Sequence, residues 1–185
     1  MPEQPFRKIK QRVLHRNRWI KLLEHEVEVA SSGHRFTYTY LSSAPSVMVV
    51  AVTPERKVVL VRQYRYPSGK FAYELPGGGT DGRSPRHAAK AELREETGYR
   101  ASRARRLGAF TVYCGLSDEV CHVYFATGLK SGQPSLEKTE HLTVHEVAFE
   151  ELQKMIQRGD FCDGMGLAAL AIAETALREA VSPKY

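Results

Sequence analysis

A chain of 185 residues, 42% of them hydrophobic and 26% charged, can close one compact core with a terminal arm, which excludes a disordered, collagen-like or disulfide-framework protein. Its longest apolar runs, around Val47 to Val52 and Met165 to Ala173, are about half the ~20 residues of a membrane-spanning helix, and the basic stretch from Phe6 to Lys21 lacks the apolar centre of a secretory signal, so a cytoplasmic location is expected. The net charge of +6 favours anionic partners, nucleic acid or phosphorylated metabolites, but the clusters Arg7, Lys8, Lys10, Arg12, Arg16, Arg18, Lys21 and Arg100, Arg103, Arg105, Arg106 carry no interleaved aromatic platform and read as a solvated face, which makes nucleic acid the less expected partner.

The first third alternates as strands do. Glu26 to Ala30 and Arg35 to Leu41 flank Ser31, Ser32 and Gly33, predicting an edge hairpin. Ser46 to Thr53 and Lys57 to Gln63 are β-branched-rich runs about a Pro54, Glu55, Arg56 turn, the pattern of buried central strands. After Pro76 and three glycines, Ser84 can cap a helix with Pro85 in its first turn, and Gly98 ends it. Strands are then predicted at Ala109 to Tyr113, Val120 to Ala126 and Leu142 to Phe149, with helices near Glu150 to Arg158 and Gly166 to Ala180. Strands on both sides of a central helix predict an α/β fold with a mixed sheet between helices, divided into an arm and hairpin, 1–44, and a main domain, 45–185. Cys114, Cys121 and Cys162, odd in number and without a CxxC pair, read as free thiols.

Glu92, Glu95 and Glu96 stand at i, i+3 and i+4 of the central helix, so their carboxylates share one face. Like charges at that spacing cost about 0.2 to 0.5 kcal/mol per pair, and the C-terminal half of a helix disfavours anions further. A hard divalent ion relieves both costs; a solvated acidic face answered by Arg94 and nearby lysines is the other reading. The preceding glycines can bring backbone carbonyls to a metal and amides to a phosphate.

From Glu74 to Tyr99 the chain reads ELPGGGTDGRSPRHAAKAELREETGY, which resembles the Nudix box of hydrolases that cleave nucleoside diphosphates linked to another moiety. The resemblance implies an α/β/α sandwich with a mixed sheet, and Mg²⁺ or Mn²⁺ held by Glu92, Glu95 and Glu96 with a carbonyl at Gly77 or Gly78. Three departures stand out: Arg83 where the family usually has Glu, Ala91 where it usually has Arg, and a glycine-to-helix loop one residue shorter. Arg94 points away from the Glu92 and Glu96 face on a helical wheel, so either another cation compensates for Ala91 or the metal site is altered.

Upstream, LVRQYRYPSGKFAYEL resembles the ADP-ribose pyrophosphatase and nucleoside diphosphate sugar hydrolase branch, which implies that Arg65 reaches the substrate phosphates. Gly115, Leu116, Ser117, Asp118 and Glu119 resemble the loop of that branch that contacts the terminal sugar, with Cys114 where members specific for ADP-ribose commonly have proline. The branch often takes its general base from a loop before a late strand, where this chain offers Glu140 and, second, Glu137; Glu95 or Glu96 are alternatives. Related enzymes exchange the N-terminal region between two subunits and use its aromatic residues to hold the base, implying a homodimer with Trp19, Phe36 and Tyr38 as stacking candidates. The expected activity is metal-dependent hydrolysis of a nucleoside diphosphate sugar to a nucleoside monophosphate and a sugar phosphate. A nucleotide- or RNA-binding sensor without turnover and a nucleoside triphosphate pyrophosphohydrolase are the rival readings.

Overall fold

The computed structural model describes residues 4–136 and 141–182. They form two compact units, Met1–Ala44 with Thr111–Val120, and Pro45–Phe110 with Cys121–Tyr185. The first unit is an antiparallel sheet in the order β1 (Phe6–Arg16), β2 (Ile20–Val29), β3 (Arg35–Ser43). The expected hairpin about Gly33 is present as β2 and β3, Gly33 adopting φ of 69° in the turn. The stretch before it, expected only as an arm, forms a third strand, β1. It is exposed along its whole length, so no alternation of buried side chains announces it. Cross-strand charge takes that role: Arg7 pairs with Glu28 at 2.6 Å and Arg12 with Glu24. Asn17 makes the β1–β2 turn, its side-chain oxygen accepting the Trp19 and Ile20 amides at 2.8 and 2.9 Å. Residues 111–120 return to this sheet, with the Leu41 amide donating to the Leu116 carbonyl at 2.8 Å.

The second unit contains β4 (Ser46–Ala51), β5 (Val58–Arg65), β6 (Lys70–Glu74), β7 (Gly77–Gly79), α1 (Pro85–Thr97), β8 (Arg100–Thr111), β9 (Val120–Lys130), β10 (Leu142–Val147), α2 (Phe149–Arg158) and α3 (Gly164–Val181). Its strands form a four-stranded sheet, β7-β4-β9-β8, and a three-stranded antiparallel sheet, β10-β5-β6. β4 is parallel to β9 and antiparallel to β7, which makes the larger sheet mixed, as expected. β4 and β5 separate into different sheets and meet at the turn through the bridge Val52–Val58.

β4 is buried throughout because both its faces are covered: α1 and α3 each pack on it. Val47, Val49 and Ala51 point one way and meet Ala88, Ala89 and Leu93 of α1, with Tyr124, Ala126 and Leu129 completing the cluster. This is the helix–sheet–helix layering of an α/β/α sandwich. Both ends of α1 follow the sequence signals, with Pro85 in the first turn and Gly98 left-handed at φ of 77°. The Ser84 hydroxyl bonds the His87 ring at 3.2 Å instead of a helix amide. α3 starts earlier than expected because Asp163 caps it, accepting the Met165 and Gly166 amides at 3.3 and 2.7 Å.

Candidate active site

The site grows from the contact between β7 and α1. β7 is three glycines laid against β4, in the register Met48–Gly77, Val47–Gly78, Ser46–Gly79. Two of them are there for lack of a side chain. A Cβ on Gly77 would sit 2.3 Å from the Val47 carbonyl oxygen, and one on Gly78 would sit 2.7 Å from Glu92 Oε2. The backbone therefore runs directly over the acidic face of α1, and the Gly77 amide donates to Glu96 Oε2 at 2.9 Å. Glu96 is only 5% exposed, so this charge-assisted bond compensates part of its desolvation.

The three helix carboxylates differ in environment. Glu96 is buried, Glu92 largely so, and Glu95 is more open. Burial pushes the Glu92 carboxyl up from its ordinary 4.5 to about 7, with the Arg83 guanidinium opposing the rise and Glu95 and Asp81 adding to it. Arg83 Nη2 donates to Glu92 Oε1 at 2.8 Å and Nη1 lies 3.7 Å from Glu95 Oε2. Arg94 serves only Glu95 among them, at 3.0 Å. The cation facing Glu92, where Ala91 offers none, is thus Arg83, from the loop.

Arg65, expected to meet substrate phosphate, is engaged with Glu74 of β6 through two parallel bonds, Nε to Oε1 at 2.8 Å and Nη2 to Oε2 at 2.5 Å. Glu74 and Glu96 are the acidic residues that are fully buried among the described residues. The Glu74 hydrogen bonds hold the Arg65 guanidinium even more firmly protonated than usual, with Glu96 and Asp163 contributing at longer range. Burial in turn raises the Asp163 carboxyl, against its two helix amides. Glu74, Arg83 and Asp163 were not among the residues expected from the sequence. Glu74 opens the quoted motif and Asp163 precedes a helix as a cap should, but Arg83 gave no signal beyond its departure from the family pattern.

The other expected residues lie in the first unit. Tyr38 Oη donates to the Gly115 carbonyl at 2.8 Å, and Glu119 Oε2 accepts from Ser43 Oγ at 3.1 Å. Phe36 and Tyr38 pack edge to face at 6.4 Å. Trp19 is apart from them: Ile20, next to it, pairs with Ser43, whereas Phe36 pairs with Val27. Trp19 is 65% exposed beside a concavity of about 310 Å³ that Arg16, Arg18 and Lys21 also line, and the Arg18 guanidinium lies 4.1 Å above its ring centre. Glu137 and Glu140, the candidates for general base, fall outside the described residues. The chain leading to them is tied to α1, where the Ser135 amide donates to the Glu95 carbonyl at 2.7 Å.

No three acidic, histidine or cysteine side chains among the described residues already converge as a metal cage. The donor set nonetheless fits a hard divalent cation: carboxylate oxygens on one helix face, opposed by a glycine backbone that puts no Cβ against Glu92 Oε2. Such an ion polarises phosphoryl oxygens and activates water, so the arrangement suits phosphoanhydride hydrolysis.

The chain is similar to several known proteins. The model of the NUDIX domain matches residues 42–165. The methanol dehydrogenase activator of Bacillus methanolicus is 32% identical over 95% of each chain, and the ADP-ribose pyrophosphatase of Bacillus subtilis is 34% identical over 74% of each. A crystal structure of an ADP compounds hydrolase superposes with a TM-score of 0.82, covering 95% of this chain and 96% of that one at 20% identity, a likeness of fold. With the domain match taking in the glycine turn, the acidic helix and both sheets that frame them, the chain belongs to the NUDIX domain family.

Proposed function

We propose that this chain is a Mg²⁺-dependent diphosphatase, with Mn²⁺ able to substitute, that cleaves nucleoside diphosphate sugars such as ADP-ribose into a nucleoside monophosphate and a sugar phosphate. The observation that carries the reading is the glycine backbone laid on buried helix carboxylates, Gly77 against Glu96 and Gly78 against Glu92. Relatives named ADP-ribose pyrophosphatase in B. subtilis and Mycobacterium tuberculosis support the substrate class.

Glu92, Glu95 and Glu96, with the carbonyl of Gly77 or Gly78, are the proposed metal ligands. When bound, the ion neutralises the diphosphate charge and lowers the pKa of a water. Around it, Arg65 offers the guanidinium nitrogen that Glu74 leaves free to a phosphate oxygen, its plane fixed by the two Glu74 bonds. Glu140, with Glu137 as second choice, takes the proton of the attacking water, and the Ser135–Glu95 bond supports this by anchoring the preceding chain to α1. Trp19, Phe36 and Tyr38 are the candidates for holding the base, with Trp19 set apart from the other two along the sheet, and Gly115 and Glu119 are the candidates for contacting the terminal sugar. The protein acts as a homodimer through residues 1–44, in the cytoplasm; no helix among the described residues is long and apolar enough to cross a membrane.

Hydrolysis of ADP-ribose, ADP-glucose, GDP-mannose and UDP-glucose with Mg²⁺, with product analysis, tests this directly. Tight nucleotide binding without metal-dependent turnover would replace it with the sensor reading, which Arg83 among the acids favours. Release of pyrophosphate from triphosphates alone would replace it with the pyrophosphohydrolase reading.

Because the native Glu92 carboxyl titrates above its ordinary 4.5, its contribution to metal-free stability is fully present below 4.5 and is lost as pH rises through about 7. Metal binding needs the carboxylate, so Mn²⁺ affinity should climb with pH up to about 7 and level off above it. Titration calorimetry on both sides of that value checks this, and a flat profile excludes Glu92 as a ligand. Trp19→Ala should raise KM for ADP-ribose about tenfold with little change in kcat, since an exposed indole contributes uniform binding. Unchanged steady-state constants would remove Trp19 from the substrate site.

A further inference from the structure

Arg83 occupies an unusual place for a loop arginine. The turn that carries it is anchored to the start of β4, where the buried Thr80 gives its amide to the Pro45 carbonyl at 2.9 Å. Asp81 and Gly82 then take left-handed φ values of 49° and 78°, and the Arg83 amide closes the turn on the Thr80 carbonyl at 2.8 Å. Two left-handed residues in succession reverse the chain and aim the Arg83 side chain at α1. Its Nε bonds the Thr80 carbonyl at 3.2 Å, which orients the guanidinium. The fork then faces three acids: Glu92 at 2.8 Å, Asp81 at 3.4 Å and Glu95 at 3.7 Å. A guanidinium only donates, so the Glu92 oxygen and the Glu95 side that it faces are both engaged with a cation already.

We propose that Arg83 is a built-in counter-cation that holds Glu92 and Glu95 together before a divalent ion arrives and gives up its place between them as the ion binds. This rests on the metal-dependent reading above. A charge of +1 at these distances offsets the repulsion between the helix carboxylates. It equally opposes the approach of a second cation to the same oxygens, so metal affinity is set by a competition inside the chain. About a third of the Arg83 side chain is open to solvent, which gives the guanidinium somewhere to go.

The test uses the full chain, Arg83→Gln, which removes the charge, and Arg83→Lys, which keeps it. Free Mn²⁺ is followed by electron paramagnetic resonance, and melting is recorded in EDTA. Arg83→Gln is expected to bind Mn²⁺ about tenfold tighter than the parent and to melt lower without metal, with Arg83→Lys within about twofold of the parent. Affinity equal to or weaker than the parent in a folded Arg83→Gln overturns the competition. A second readout needs no loss-of-charge variant: the Arg83 Nε–H resonance of the parent, assigned through Arg83→Lys, should shift and exchange faster on adding Mg²⁺, and an unmoved signal at saturation likewise overturns it. Absence of Mn²⁺ binding in every variant overturns the metal reading itself, whereas equal binding in parent and Arg83→Gln removes only the role of Arg83.

Discussion

Glu96→Gln is expected to lower kcat for ADP-ribose hydrolysis about 10³-fold at saturating Mg²⁺, a loss of about 4 kcal/mol of transition-state stabilisation. The substitution is nearly isosteric, and the new amide oxygen can still accept the Gly77 amide, so the contact between β7 and α1 survives. What disappears is a negative charge in a site where only 5% of the residue meets solvent and little water is present to screen it. Circular dichroism and melting of the variant should match the parent, which assigns the loss to chemistry and not to folding. Turnover retained within a few fold would remove Glu96 from the metal site and with it the central element of the proposed enzyme.

Gly77→Ala and Gly78→Ala should separate stability from activity at adjacent positions. The Cβ of an alanine at 77 meets a main-chain oxygen at 2.3 Å, on a strand whose Val47 is fully buried between two helices and has no room to retreat. A cost of about 3 kcal/mol is expected, which for a chain of this size lowers Tm by roughly 6 to 12 °C. At 78 the obstacle is Glu92 Oε2 at 2.7 Å, the far end of a flexible side chain that can swing aside. Tm should hardly move, while kcat falls about 10²-fold because Glu92 leaves its position against the backbone. Calorimetric melting and metal-dependent kinetics on the two variants give opposite patterns if the glycine turn is placed as described. Two variants equally stable and equally active would contradict the close approach.

The sequence revealed the elements whose burial leaves a periodic trace. Ser46 to Ala51 lies under α1 and α3 and is apolar on both faces, and α1 is marked at its ends by Pro85 and Gly98, so both were legible. β1 was not, because its eleven residues are exposed on both faces and its pairing rests on charges that alternate with β2 and not on a hydrophobic stripe. β7 was missed for the opposite reason: glycines have no side chains to form a pattern, and their strand geometry comes from β4 alone. β8 begins at Arg100, well before the expected Ala109, since its first half is rich in arginine and half-exposed. At the site, the acidic face of α1 could be derived from 3.6-residue spacing. The partnerships of Arg83 with Glu92 and of Arg65 with Glu74 could not, because they depend on the direction of a turn and on cross-strand reach, neither of which is periodic.

Trp19 is the only tryptophan of the chain, and its indole is mostly in water under a guanidinium. The intrinsic fluorescence of the native protein therefore comes from a polar surroundings and should peak at long wavelength before any unfolding occurs. That emission reports directly on the surroundings of the β1–β2 turn and not on the glycine turn or the acidic helix. The same isolation makes the indole a label-free optical probe for whatever displaces Arg18 from its face.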